Sequence, residues 1–359
     1  MPIESEIAPA AKDDMESKLS DLPSPAVLAT KRRWMPVARF AIVIVVFAGL
    51  AVAAQRSIEH WNSQPAAERL QLNDLHAGWL LVGAGLYAVS LLPAAVVLSR
   101  ALRSLGLRPR MRMIMAAQLI GHLAKYVPGK AMVIIVRADV LNRGGSNVSL
   151  RAATIAISIE TLTMIATGAT FAVVTLMLVD QTVWGLPDWI RQTSLLMAIA
   201  AIVGTLPSVL RLVMSRRMIG GSLPFNWTVK DVMAAWLWNS VAWVLIGAST
   251  TAIVLAVPEP IRSGMIPSAW GLFVVCLAAI ALAYVAGFLS LLPGGAGVRE
   301  LVLTTLLSPI AEESGAFLIA IILRMTHLTV EGILASGAWI AFRSFGQNAP
   351  DVDVPVTSD

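Results

Sequence analysis

The sequence predicts an all-α polytopic membrane protein of about seven or eight transmembrane helices, with two re-entrant hairpins broken at Pro-Gly. Three observations lead to this fold class. Hydrophobic residues make up 57% of the chain and charged residues only 14%, whereas soluble domains carry roughly 25% charged residues. The mean hydropathy is +0.74. Several apolar runs approach or exceed the ~20 residues needed to cross a bilayer. A soluble protein would have to bury nearly all of these helices.

Both ends of the chain are expected to be disordered tails. Residues 1–36 mix acidic side chains with prolines, and such a segment buries too little apolar surface to fold. A secretory signal peptide would instead start with basic residues followed directly by an apolar run. Residues 344–359 have a similar composition. The membrane domain is therefore predicted over residues 37–343, with the N-terminal tail in the cytoplasm.

Apolar segments alternate with basic clusters along residues 37–343. Arginines concentrate before residue 40 and between residues 100 and 112, and the positive-inside rule assigns both clusters to the cytoplasm. The predicted apolar segments are residues 40–54, 78–99, 113–136, 152–179, 193–210, 232–257, 264–298 and 315–342.

The first predicted hairpin covers residues 113–137. The stretch KYVPGK, from Lys125 to Lys130, interrupts its apolar sequence, and basic residues flank both ends. Pro-Gly ends a helix and permits a tight reversal. Cytoplasmic-type charge on both sides indicates that the segment returns to the face where it starts, which requires burial in protein or a hydrated cavity.

The second predicted hairpin covers residues 287–308. Residues 264–298 contain no charged side chain and are too long for one crossing, so a span and the first hairpin limb share them, with Pro-Gly-Gly at the break. The spacing from Pro128 to Glu160 resembles that from Pro293 to Arg324. This suggests an internal repeat, as in transporters whose halves meet at a site built from broken helices.

Charged residues near the two breaks are the candidate site. An ionised group at the bilayer centre costs roughly 2.5–3.5 kcal/mol, so such groups usually pair or line a functional cavity. Helix N-termini and arginine both favour phosphate. The candidates for substrate binding are Lys130, Arg137, Arg299, Arg324, Gly129, Gly294 and Gly295, and those for charge balance or proton coupling are Glu160, Glu300, His327 and Glu331.

A structural alternative stays open for the same residues. Lys130 and Arg137 can reach the cytoplasmic surface from a shallow hairpin by extending their side chains. Arg299 and Glu300 can pair with Glu160 and Arg324 and so lock the bundle.

Other chemistries lack their motifs. The Gly129–Lys130 pair is followed by Ala131, so no nucleotide-binding P-loop is present, and no zinc-protease or serine-hydrolase motif occurs. Cys276 is the only cysteine, which excludes an intrachain disulfide or cysteine-based metal site. We expect no cofactor, no metal and no nucleic-acid partner, and we expect no enzymatic activity.

Two motifs carry a family resemblance. KYVPGK with Arg137, and GFLSLLPGGAGVRE, resemble the flippase-like membrane family related to the N-terminal transmembrane domain of lysylphosphatidylglycerol synthases. Lys130 stands where related members often have a second glycine. The matched residues are Pro128, Gly129, Lys130, Arg137, Pro293, Gly294, Gly295, Gly297, Arg299 and Glu300.

The resemblance implies a multi-pass protein of the bacterial inner membrane that moves lipids between leaflets. The soluble aminoacyl-transferase domain of the synthases is missing from this sequence, so we do not expect lipid aminoacylation. The expected substrate is an anionic, zwitterionic or polyprenyl-phosphate-linked lipid. Two alternatives stay open: a non-catalytic subunit supporting a glycosyltransferase or lipid-synthesising enzyme, and an intramembrane enzyme acting on a lipid headgroup.

Overall fold

The architecture consists of α-helices. The computed structural model describes residues 74–126, 131–143, 148–178, 188–214, 225–258, 268–290 and 292–346, and no strand occurs in these ranges. All of them belong to the unit Leu50–Asp359. The all-α prediction is confirmed. The predicted N-terminal tail, the segment 40–54, Pro128, Gly129, Lys130 and residues 347–359 lie outside the described residues.

Ten α-helices are described. They are α1 (Ala77–Ser90), α2 (Leu92–Ser104), α3 (Met111–Ala124), α4 (Ala131–Arg143), α5 (Leu150–Leu178), α6 (Asp188–Thr205), α7 (Pro207–Met214), α8 (Val229–Ala256), α9 (Ala269–Leu289) and α10 (Val298–Gly346). Leu91 joins α1 to α2, and Pro93 stands in the first turn of α2, where its missing N–H breaks no helical bond.

Five of the described segments are long and apolar enough to cross a membrane: Ala77–Ser104, Leu150–Leu178, Val229–Ala256, Ala269–Leu289 and Val298–Arg343. The protein is therefore a multi-pass membrane protein. The predicted span at residues 193–210 is divided between α6 and α7 at Pro207 and is not among these five. The total number of crossings stays a prediction.

Helices α3 and α4 are much shorter than a full crossing. They contain 14 and 13 residues, and a rise of 1.5 Å per residue makes each roughly 20 Å long, against a hydrocarbon core of about 30 Å. The two helices pack against each other. Their lengths fit the two limbs of the first predicted hairpin, and its return to the same membrane face stays a prediction.

Helix α10 folds back on itself. Glu300 and Arg324 form an ion pair of 2.7 Å, although 24 residues of straight helix would separate them by about 36 Å. The reversal lies at Ala311 and Glu312, where Glu312 has a φ of 53°. The arms, residues 298–310 (α10a) and 313–346 (α10b), therefore run in opposite directions.

The second break differs from the prediction in its first limb. The Pro293–Gly295 turn follows α9, which is itself a membrane-length helix, so the limb predicted from residue 287 is the end of α9. The second limb is α10a. The uninterrupted apolar sequence before Pro293 gave no signal that would separate a span from a half-helix.

Helix α8 lies at the centre and packs against α1, α2, α5 and α9. Small residues permit these close contacts. A Cβ atom at Gly168 would lie 2.3 Å from the ring of Trp243, and the indole N–H of Trp243 donates to the Met164 carbonyl at 3.0 Å. Close packing at small residues is typical of helix association in lipid.

Candidate functional site

The C-terminal end of α3 contacts the turn after α9. The Gly294 N–H donates to the Lys125 carbonyl at 3.1 Å, and a Cβ at Gly294 would lie 2.7 Å from the Tyr126 ring. Gly294 also has a φ of 59°, which side chains other than glycine rarely adopt. Glycine is therefore needed here for both backbone conformation and space.

Arg137 and Glu160 form the ion pair of the first hairpin. Arg137 on α4 contacts Glu160 on α5 at 2.9 Å, and only 5% and 6% of the two residues are exposed. The Gln118 amide donates to the second Glu160 oxygen at 3.2 Å. A Cβ at Gly121 would lie 2.5 Å from Arg137 Nε, so glycine lets the arginine lie directly against α3.

Glu300 and Arg324 form a corresponding pair between α10a and α10b. Arg324 donates to Glu300 Oε1 at 2.7 Å and to the Gly294 carbonyl at 3.3 Å. Glu300 Oε2 accepts from the Gly297 N–H at 2.6 Å. The sequence predicted that the N–H groups at the start of the helix after Pro-Gly-Gly would face an anionic ligand. The Gly297 N–H instead donates to the Glu300 side chain.

Arg299 lies beside that pair without a carboxylate. Its guanidinium carbon is 3.8 Å from the centroid of the Tyr284 ring, and its buried Nε has no hydrogen-bond partner. Cβ atoms at Gly287 and Gly295 would lie 2.7 and 2.8 Å from the Arg299 side chain, so two glycines form its groove. Among the described residues, no carboxylate lies within ion-pair distance of Arg299.

Glu331 connects α10b to the first hairpin and to α1. Its carboxylate accepts from Lys125 Nζ at 2.5 Å, from the Tyr126 hydroxyl at 3.0 Å and from the Tyr87 hydroxyl. The residue is 1% exposed. Three donors from two other elements thus surround one buried carboxylate.

His327 is hydrogen-bonded at both ring nitrogens. Nε2 lies 3.3 Å from the Ser249 hydroxyl and Nδ1 lies 3.2 Å from the Tyr284 hydroxyl. Because Ser249 donates its proton to the Gly83 carbonyl at 2.7 Å, its oxygen accepts from Nε2–H. Nε2 therefore carries a proton, and Nδ1 faces the Tyr284 hydroxyl. The ring also stacks on Tyr87 at 3.6 Å.

The family model of the lysylphosphatidylglycerol synthase transmembrane region matches residues 37–337, and this range includes both hairpin breaks and all the side-chain networks above. The chain belongs to this family. A search of the curated proteins found no match. Membership indicates a membrane protein of lipid metabolism or transport, so the intramembrane charges of this family member lie in a domain that works on or among lipids.

The predicted residues fall into two groups in this lysylphosphatidylglycerol synthase transmembrane region. Arg137 and Glu160 form one group. The other is a connected network that contains Gly294, Gly295, Arg299, Glu300, Arg324, His327 and Glu331. Glu300 and Arg324 pair as the structural alternative anticipated, whereas Glu160 pairs with Arg137 and not with Arg299. Lys130 and Gly129 lie outside the described residues.

Sequence reasoning did not assign roles to Lys125, Gln118 or the tyrosines of this network. The chain contains only three tyrosines, and all three, Tyr87, Tyr126 and Tyr284, contact the charged groups. Their scarcity in an apolar sequence was a signal that could have identified them. In the described residues, no cluster of three or more His, Cys, Asp or Glu side chains could hold a metal.

Proposed function

We propose that this protein is a lipid translocase and not an enzyme, and that it moves a lipid with a phosphate-bearing headgroup between leaflets. The observation that carries the proposal is the charge balance near the two hairpin tips. Lys125, Arg137 and Arg324 each have a carboxylate partner, and Arg299 has none among the described residues. An unpaired ion inside a membrane costs roughly 2.5–3.5 kcal/mol. A bound anion would offset that cost.

Arg299 suits a phosphate for geometric reasons. Its planar guanidinium can donate two parallel hydrogen bonds to phosphate oxygens. The Tyr284 ring holds the group from one side, and none of the described carboxylates competes for it. Phosphate is common to the anionic, zwitterionic and polyprenyl-phosphate-linked lipids expected from the sequence, so one site chemistry serves all three.

The contacts between the hairpin tips are suited to opening. A phosphate at Arg299 would lie near Arg324, which Glu300 and the Gly294 carbonyl now hold. Competition for Arg324 would weaken the contact of Gly294 with the first hairpin. Binding of the headgroup would thereby favour separation of the Gly294 turn from the end of α3. A ligand shifts such an equilibrium only if it binds the separated state more tightly than the state in contact. The sequence has no nucleotide-binding motif, so translocation would be energy-independent or ion-coupled.

A headgroup series tests the proposal. The full-length protein in liposomes would be supplied with fluorescent phosphatidylglycerol, phosphatidylcholine and a glucosyl diacylglycerol, which lacks phosphate. We expect protein-dependent leaflet exchange of the phosphate-bearing lipids and none of the glycolipid. Absence of exchange for both phospholipids, with folded protein in the liposomes, would overturn the proposal.

A second candidate function is a non-catalytic subunit for a glycosyltransferase or lipid-synthesising enzyme. The paired charges Arg137–Glu160 and Lys125–Glu331 favour it, together with the fully bonded His327, because such networks also suit a static bundle. Co-purification with such an enzyme, combined with no exchange by the protein alone, would support this candidate.

A further inference from the structure

An apolar groove of about 500 Å³ lies between α3, α4 and α10b. Its lining includes Ile120 and Leu123 of α3, Val136 of α4, and Ala335 and Trp339 of α10b. Among the described residues of the lining, only Ser336 has a hydroxyl side chain. The volume falls within the ~300–1,000 Å³ of typical ligand pockets, and the lining offers a polar headgroup almost no partners.

The groove approaches the Lys125–Glu331 ion pair along α3 and α10b. Ala124 lines the groove, and the next residue is Lys125. On α10b, Ala335 lines the groove and follows Glu331 by four residues, which places both on the same helix face, one turn apart. Because Lys125 and Glu331 form an ion pair, the groove lies within about one helical turn of that pair.

The opposite side of the groove is open to the surroundings of the protein. Leu123 and Trp339 are each 37% exposed and Ile340 is 70% exposed. Trp339 and Ile340 belong to the membrane-length segment Val298–Arg343, so we expect the exposed side of the groove to face lipid tails. A hydrocarbon chain can therefore pass from the bilayer into the groove without crossing a polar surface.

We propose that this groove holds one acyl chain of the lipid whose phosphate is bound at the charged network. The inference rests on the proposed function and adds where one acyl chain of the bound lipid lies. A lipid whose headgroup lies among buried charges must keep its chains in apolar surroundings, and the groove is apolar space about one helical turn from Glu331. Two different environments, one for each end of the molecule, thus adjoin within a single site.

The forces that hold an acyl chain in the groove determine which change should weaken its binding most. A chain that leaves the bilayer for the groove exchanges one apolar environment for another, so the hydrophobic effect contributes little. Close packing and attachment to the bound headgroup remain as the sources of affinity. Filling the groove should therefore have a larger effect than shortening the chain.

Photolabelling tests the proposal. The full-length protein would be placed in vesicles of phosphatidylcholine and phosphatidylglycerol that contain phosphatidylglycerol with a diazirine in one acyl chain. We expect labelling of residues 335–340 that unlabelled phosphatidylglycerol saturates. Ser336→Trp, at an exposed groove position, should reduce it several-fold. Leu237→Trp, at a position 64% exposed on α8 and not in the groove lining, should not.

Several outcomes separate this proposal from the proposed function. Labelling that does not saturate, and that is equal at Leu237 and at the groove, would mean contact with bulk lipid only and would overturn the groove site. If Ser336→Trp leaves the rate of leaflet exchange unchanged, the groove site is overturned and the translocase proposal stands. Saturable labelling without exchange would keep the groove site and overturn the translocase. Val136→Phe provides a second filling variant if Ser336→Trp does not fold.

Discussion

Arg137 and Arg299 differ in what their removal leaves behind. Loss of Arg137 would leave Glu160, 6% exposed, with only the Gln118 amide as a described partner. Loss of Arg299 would leave no described carboxylate unpaired and would remove a contact with the Tyr284 ring. Arg137 therefore has a structural role, whereas the Arg299 guanidinium is available to a ligand.

We expect Arg137→Ala to lower the free energy of unfolding by about 3–5 kcal/mol, the usual cost of breaking one side of a buried ion pair. Arg299→Ala should lower it by about 0.5–2 kcal/mol, the range for a lost cation–π contact. Denaturant titration of both purified variants in detergent measures the difference. Equal losses of stability would contradict the division of roles.

Gly287 offers a way to displace Arg299 without removing its charge. An added Cβ would lie 2.7 Å from Arg299 Cγ and 2.9 Å from Nε, so Gly287→Ala must shift the side chain. We expect slower leaflet exchange with little loss of stability, because alanine favours the helix by about 1 kcal/mol. Gly337→Ala is the matched control, since its Cβ would meet nothing within 4 Å. Unchanged exchange in Gly287→Ala would show that the position of Arg299 is unimportant.

The elements that interrupt the membrane helices were partly predictable from sequence. Pro-Gly and Pro-Gly-Gly marked both breaks because proline and glycine end helices locally. The ion-pair partners were not predictable: Lys125 and Glu331 are separated by 206 residues, and apolar periodicity does not determine which distant helices meet. The same limitation explains why the bonding of His327 to α8 and α9 was missed.

The first hairpin predicts an unusual labelling pattern. If α3 and α4 re-enter the membrane, Arg110→Cys and Asn142→Cys should react with an impermeant maleimide from the same face of sealed vesicles. His76→Cys, before the membrane-length segment Ala77–Ser104, should react only from the opposite face. The native Cys276 is fully buried and should stay unlabelled. Reaction of Arg110→Cys and Asn142→Cys from opposite faces would mean a full crossing.

At the scale of the whole molecule, two ion pairs follow the two Pro-Gly motifs with the charges exchanged, and the internal repeat that the spacing suggested stays a prediction. The limb α4 carries the cation Arg137, which pairs with Glu160; the limb α10a carries the anion Glu300, which pairs with Arg324. Arg137 also lies against Gly121 as Arg299 lies against Gly287. The sequence spacing indicated this correspondence, but the roles of Glu160 and Arg324 as partners required the folded arrangement.

The exchange of signs leaves the two halves unequal. In the first half the arginine that lies against a glycine is neutralised by Glu160. In the second half Glu300 pairs with Arg324, and Arg299 has no carboxylate partner among the described residues. This difference is the reason why the proposed anion-binding site is placed at Arg299 and not at Arg137.

The most direct test of the account compares the initial rate of phosphatidylglycerol exchange between leaflets for the wild type and Arg299→Ala. Arg143→Ala, which removes a cation that is 63% exposed and paired only with Asp139 among the described residues, serves as the control. We predict that Arg299→Ala abolishes exchange while the protein stays folded, and that Arg143→Ala retains it. Wild-type exchange by folded Arg299→Ala would contradict the central claim that the unpaired arginine binds the transported headgroup.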